Sequence, residues 1–157
     1  MPKIQTFIWF DDRAEEAVNF YVSLFKDSKV TNVTKMDPSA PPQGKAMMLT
    51  FTLDGQEFLA LNGGPGVVTG NGPLSLFVNC ETQEEIDRYW NALKEGGKEI
   101  QCGWLVDRYG ITWQIVPTLL GKLMTDPDKG KVKRVTQAMM KMIKLDIAGL
   151  KRAADQK

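Results

Sequence analysis

The stretch Phe7-Ile8-Trp9-Phe10-Asp11-Asp12-Arg13-Ala14-Glu15-Glu16-Ala17, running on to Phe20-Tyr21 and Leu24, has a second, altered copy in the same chain. Shifted by 69 residues, Phe7 falls on Leu76, Glu15-Glu16 on Glu84-Glu85, Phe20-Tyr21 on Tyr89-Trp90 and Leu24 on Leu93, with no gap from strand into helix. Each copy opens on a β-branched and aromatic run, the signature of a strand. Apolar residues at helical spacing follow: Ala14, Ala17, Val18, Tyr21, Leu24 and Phe25 in the first, and Ile86, Tyr89, Trp90 and Leu93 in the second. A unit repeated at a fixed offset usually needs its neighbour to bury its apolar face.

Working outward, the first copy continues with Lys29–Lys35 as a strand, a Pro/Gly loop over 37–44, and strands Ala46–Leu53 and Glu57–Leu61 around Asp54-Gly55, a strong hairpin signal. Asp11-Asp12 is expected to cap the helix. In the second copy Leu74–Asn79 reads as a strand. Thr82 and Glu85 have capping-box spacing, and Gly96-Gly97 ends the helix. Glu99–Val106 and Ile111–Val116 read as strands around the turn Asp107-Arg108-Tyr109-Gly110. The expected fold class is α+β: two βαβββ modules, residues 1–64 and 73–120, joined by a Gly/Pro linker at 65–72. Strand-rich halves of this kind should curl into half-barrels with a concave cavity between them.

Beyond the modules, Asp126-Pro127 reads as a helix start, and Val132, Val135, Met139, Met142, Ile143, Ile147 and Leu150 form one apolar stripe. A single amphipathic helix over 126–154 is expected. It would dock on the barrel or on a second subunit rather than lie on a membrane.

Composition narrows the chemistry. The chain has 157 residues, 43% hydrophobic and 25% charged, with 20 Lys and Arg against 19 Asp and Glu. That balance gives no bulk electrostatic reason to seek nucleic acid or an anionic membrane. There is no His, which removes His-based triads, His general bases and His-containing zinc or iron sites. Cys80 and Cys102 are too few for a thiolate zinc site, which takes about four. No run approaches the roughly 20 apolar residues needed to span a bilayer. The N-terminus lacks a charged region followed by an apolar run. A cytoplasmic, reduced protein with free thiols is expected.

The first stretch, together with Gln101-Cys102-Gly103-Trp104-Leu105-Val106-Asp107-Arg108-Tyr109-Gly110-Ile111-Thr112-Trp113-Gln114-Ile115-Val116-Pro117, resembles the PhnB-like branch of the vicinal-oxygen-chelate superfamily. That is the glyoxalase and bleomycin-resistance fold, and the branch often carries the label 3-demethylubiquinone-9 3-methyltransferase. Leu53-Asp54-Gly55-Gln56 and Ala60-Leu61-Asn62-Gly63-Gly64-Pro65 fit as well, so the resemblance covers nearly the whole chain. It implies paired modules and a homodimer. It also implies a site where a divalent metal chelates substrate oxygens, with ligand positions near Thr6 (or Gln5), Ala60, Ser75 and Gln114. At Gln114 a neutral amide stands where the family pattern has a carboxylate, and Ala60 has no donor atom. Hard cations want charged oxygens, and zinc wants imidazole, thiolate or carboxylate. No metal and no cofactor are therefore expected.

Gln114 is expected to hydrogen-bond either a ligand or a neighbouring side chain. Trp9, Trp104 and Trp113 either line a pocket for a planar ligand or fill the core. Asn62 is a ligand contact or a turn residue. Asp107-Arg108 reads as a turn with a surface ion pair. The leading functional expectation is a binding protein for a small, partly apolar molecule in the inter-module cavity. The alternative is an enzyme of unknown reaction using an Asp, Glu or Tyr. The methyltransferase label is not expected to be literal, because no helix pattern opens behind Gly63-Gly64-Pro65-Gly66 to make the usual Gly-rich cofactor turn. A third reading is a scaffold whose cavity is filled by Trp and Met.

Overall fold

Alternating apolar and polar side chains build a four-stranded mixed sheet in each half of the chain. The computed structural model describes residues 2–39, 42, 44–45, 47–66 and 72–156. It divides into two compact units, Met1–Val68 and Thr69–Lys157. The linker expected over 65–72 falls largely on 67–71, outside the described residues.

In the first unit, β1 (Thr6–Phe10), β2 (Lys29–Lys35), β3 (Met47–Leu53) and β4 (Gln56–Asn62) lie in the order β1-β4-β3-β2. Strand β1 runs parallel to β4, and the other pairs are antiparallel. Helix α1 (Ala14–Leu24) buries Ala14, Ala17, Val18 and Tyr21. Its partners are the buried Phe10, Leu49, Phe51, Phe58 and Ala60 on one face of this sheet. The hairpin forms where Asp54-Gly55 predicts it. Both residues have positive φ (49° and 79°), the primed turn that matches strand twist and sets Leu53 opposite Gln56.

The second unit repeats this order. Strands β5 (Leu76–Cys80), β6 (Lys98–Glu99), β7 (Trp104–Val106) and β8 (Thr112–Pro117) lie as β5-β8-β7-β6, with α2 (Gln83–Lys94) following β5. The α+β class and the two βαβββ modules are as the sequence predicts. One strand differs. The run Glu99–Val106 is two strands, because Cys102 (φ 60°) and Gly103 (φ 83°) reverse the chain and pair Lys98 with Val106 and Glu99 with Leu105.

The repeat register also needs correcting. The burial pattern of Thr6–Phe10 recurs at Leu76–Cys80, an offset of 70 that superposes Phe7 on Phe77. The helix starts keep the offset of 69, Ala14 falling on Gln83, while the buried Ala14, Ala17, Val18 and Tyr21 recur one turn later at Ile86, Tyr89, Trp90 and Leu93. Three residues link β1 to α1 and two link β5 to α2, so the copies differ by one residue at that joint.

The cause is the capping. In the second unit Thr82 Oγ1 accepts the Glu85 N–H at 3.2 Å, as the capping box predicts, while Glu85 accepts from the Glu81 N–H. In the first unit Asp11-Asp12 do not cap. The cap position is Arg13, which has no acceptor, and Asn62 Oδ1 at the end of β4 takes the Ala14 N–H at 2.7 Å.

The tail is three helices, not one over 126–154: α3 (Thr118–Met124), α4 (Lys129–Met140) and α5 (Ile147–Asp155). Asp128, rather than Asp126, caps α4 through the Gly130 and Lys131 N–H groups, and Asp146 caps α5 through Ala148. The apolar stripe is nonetheless used as expected. Val135, Leu145, Leu150 and Ala154 form a buried cluster with Val116 and Leu120 of the same unit. The Cys102 and Gly103 N–H groups donate to the Met142 and Ile143 carbonyls, both at 2.8 Å. Gly103 is required there, since a Cβ would stand 2.9 Å from both the Ile115 carbonyl oxygen and the Leu145 side chain.

Candidate functional site

Each sheet has one face covered by its helix and one face that is not. Directly paired residues share a face, so the ladders sort the candidates. In the second unit Gln114 lies opposite Phe77 on β5 and Trp104 on β7. Phe77 is 53% exposed, and Trp104 and Gln114 are half-buried, so this row lies on the face away from α2. Gln114 Nε2 donates to Ser75 Oγ at 3.0 Å. Its Oε1 accepts from no donor among the described residues. The row thus presents an amide carbonyl between two aromatic rings.

Trp113 belongs to the other face. It is 2% exposed and its indole N–H donates to Asp107 Oδ2 at 2.8 Å. It is a core residue and does not line the open face. Asp107 is likewise buried rather than on the surface. Its Oδ1 accepts from the Tyr109 and Ile111 N–H groups, and Arg108 lies over the Tyr109 ring.

In the first unit the equivalent row is Phe7, Leu59 and Thr50. Phe7 pairs with Leu59 as Phe77 pairs with Gln114, so Leu59, not Ala60, is the counterpart of Gln114. Ala60 is fully buried opposite Ile8 and Leu49 on the α1 side. Thr6 shares that side with Phe58, while Gln5 lies on the open side and donates from Nε2 to Glu57 Oε1. Trp9 is on the open face, 45% exposed, its indole laid across Gly63 so closely that any Cβ there would clash with it. Asn62 is buried and structural, since its Nδ2 also donates to the Lys45 carbonyl at 3.0 Å.

The structure therefore brings Ser75, Trp104 and Gln114 together, and places Trp9 on the open face of the first unit. Thr6, Ala60, Asn62 and Trp113 lie on the helix-covered sides. Phe7, Phe77 and Leu59 join the open faces. Phe7 and Phe77 align only at the strand offset of 70, and Leu59 follows from its pairing with Phe7.

The donor set does not suit a metal ion. The open faces offer Gln5, Glu57, Ser75 and Gln114 at or beside the family's ligand positions, with one carboxylate already bonded to Gln5. Among the described residues no three His, Cys, Asp or Glu converge. Burial, followed by the Glu85 charge, pushes the Cys80 thiol up to about 12, so it is not a thiolate near neutral pH. Both cysteines are free. Surface depressions lie elsewhere, one of about 470 Å³ at the start of α1 and one of about 380 Å³ between the starts of α2 and α5.

Comparison with known proteins fits this picture. The profile of the family described as 3-demethylubiquinone-9 3-methyltransferase matches residues 2–116. A Bacillus cereus PhnB protein, itself titled a putative 3-demethylubiquinone-9 3-methyltransferase, is 36% identical. The alignment covers 74% of this chain and 100% of that one, with a TM-score of 0.64. A Pseudomonas aeruginosa protein is 19% identical over 73% of this chain and 98% of its own, with a TM-score of 0.55. A fosfomycin resistance protein, FosX, from Listeria monocytogenes is 13% identical over 78% and 99%, with a TM-score of 0.52, which shows the shared fold. No curated protein matches.

Proposed function

The chain belongs to the 3-demethylubiquinone-9 3-methyltransferase family, the PhnB-like branch of the glyoxalase and bleomycin-resistance fold, and from that premise we propose that it binds a small, partly apolar molecule without a metal. The observation that carries this reading is the row Phe77–Gln114–Trp104. Two aromatic surfaces flank one amide whose carbonyl is unspent. Such a row holds a flat or partly apolar molecule by area and orients it with one neutral hydrogen bond.

The reading includes self-association into a homodimer and a cytoplasmic setting. No helix among the described residues is long and apolar enough to cross a membrane. The methyl-transfer reaction in the family's description is not part of the proposal. Methyl donors of the adenosyl type are usually held by a doubly wound sheet with a Gly-rich strand-to-helix turn, and these sheets are mixed, in the order 1-4-3-2.

The test is native mass spectrometry of freshly purified protein, with metal analysis alongside. A co-purifying small molecule, lost in Gln114→Leu and Trp104→Ala at unchanged melting temperature, is expected, with metal well below one equivalent. Stoichiometric zinc, nickel, iron or manganese, or a ligand retained by both variants, overturns the proposal.

A further inference from the structure

The charge of this chain is balanced only in total. Residues 118–157 hold ten Lys and Arg against four Asp, whereas residues 1–117 hold ten Lys and Arg against fifteen Asp and Glu. The basic excess sits on the helical tail, which lies beyond the residues 2–116 matched by the family profile.

Within the tail several charges are already used. Arg134 donates to the Ala153 and Ala154 carbonyls, Lys131 pairs with Asp126, Lys144 with Asp87 and Arg152 with Asp146. Among the rest, Lys129 and Lys133 are exposed, lie one turn apart on one side of α4, and have no partner among the described residues, while exposed Lys141 is the helix's C-cap. The opposite side of α4 is occupied, with Val135 fully buried in the unit's own core.

That arrangement selects among anionic partners. A helix lying on a membrane must offer its apolar side to the lipid, and here that side is taken. Nucleic-acid surfaces add stacking aromatics and arginines to the lysine–phosphate contacts. The tail contains no aromatic residue, and both its arginines are engaged. A folded acidic surface remains, and the chain carries one. The start of α1 presents exposed Glu15 and Glu16, neither with a side-chain partner among the described residues. They border a depression of about 470 Å³ also lined by Asp12, Arg13, Asn19 and Lys45, whose two cations are paired with Asp11 and Asp12.

We infer that the Lys129–Lys133 side of α4 docks on the Glu15–Glu16 start of α1 in a second copy of this chain. The inference rests on the self-association proposed above and adds the surfaces that meet. Under two-fold symmetry each copy gives one basic and one acidic surface, so the contact is made twice and closes. A net charge of +1 leaves little repulsion between copies. Exposed ion pairs are individually weak and screened by salt, so this contact sets orientation and salt dependence more than gross affinity.

The test is sedimentation equilibrium of the full chain at low and high salt, with circular dichroism to check folding. Lys129→Glu/Lys133→Glu and Glu15→Lys/Glu16→Lys should each weaken dimerisation by about tenfold at low salt. The four substitutions together should restore it, and high salt should erase the differences. Glu15→Gln/Glu16→Gln, gentler on the helix start, should give a smaller loss in the same direction. A wild-type chain that is monomeric throughout overturns both the self-association and the docking. A dimer indifferent to every charge change overturns the docking alone. So does a monomer that sediments with anionic vesicles or duplex DNA only while its lysines are intact.

Discussion

The two modules share strand order, helix placement and hairpin position, yet the middle of the uncovered row is Leu59 in one and Gln114 in the other. Both rows begin with an exposed Phe, 49% at Phe7 and 53% at Phe77. The scaffold has been kept twice and the polar handle once. Support differs as well. The first module ties its helix to its last strand through Asn62. The second caps its helix locally, braces its last hairpin with Asp107 and carries three further helices. A duplicated fold can thus keep one strand order while varying both the residue at the centre of its open row and the bracing around it.

The sharpest way to break this comparison is Asp107→Ala. The buried carboxylate accepts from the Tyr109 and Ile111 N–H groups and the Trp113 indole. Its loss leaves three donors without their acceptor, each at about 1–3 kcal/mol, and a destabilisation of about 4 kcal/mol is expected in urea melts. Next is Leu145→Ala, which hollows the cluster joining the tail to Val116 and should cost about 3 kcal/mol. Hydrogen exchange should then show faster opening of the second unit with the first unit unchanged. Loss spread equally over both units would refute the tail as a brace for one of them. Asn62→Ala should cost about 2 kcal/mol, the upper end for a lost helix cap, and loosen α1.

These residues also mark how far the sequence could be read. The Asp54-Gly55 turn, the Thr82–Glu85 cap and both helix faces depend on neighbours within a few positions, so local pattern was enough. The cap on α1 comes from Asn62, 48 residues away, and no local signal announces it. In a pleated strand one residue exchanges faces, so a family pattern matched to within one position does not separate Ala60 from Leu59, or Thr6 from Gln5; the ladders do. Trp104 and Trp113 look alike in the sequence, and only the ladder puts one on the open face and the other in the core. The tail's apolar stripe was legible, but the break at residues 141–146 follows from Asp146 capping a new helix and from backbone bonds to Cys102 and Gly103.

The smallest expected effect sets two ion pairs against each other. In the second unit Lys144 bonds Asp87 at 2.7 Å, with 37% and 42% of the two side chains exposed. In the first, Lys45 bonds Asp12 at 3.1 Å, at 63% and 40%. The hydrogen bond from Lys144, then that from Gln83, holds the Asp87 carboxyl below the usual carboxylate range. A depressed carboxyl stabilises the fold above its unfolded value, near 3.9, and that contribution is lost as pH falls through the folded value. Asp87→Asn should therefore lower stability by less than about 1 kcal/mol at neutral pH, since the pair is part-exposed. Melting temperatures of variant and parent should converge as pH falls through the depressed folded value of Asp87, where both carry a neutral side chain. Asp12→Asn, removing the more exposed and longer pair, should be close to silent. A larger loss from Asp12→Asn than from Asp87→Asn would mean that the tail latch, for all its hydrogen bonds to Gln83, contributes less than an isolated surface pair.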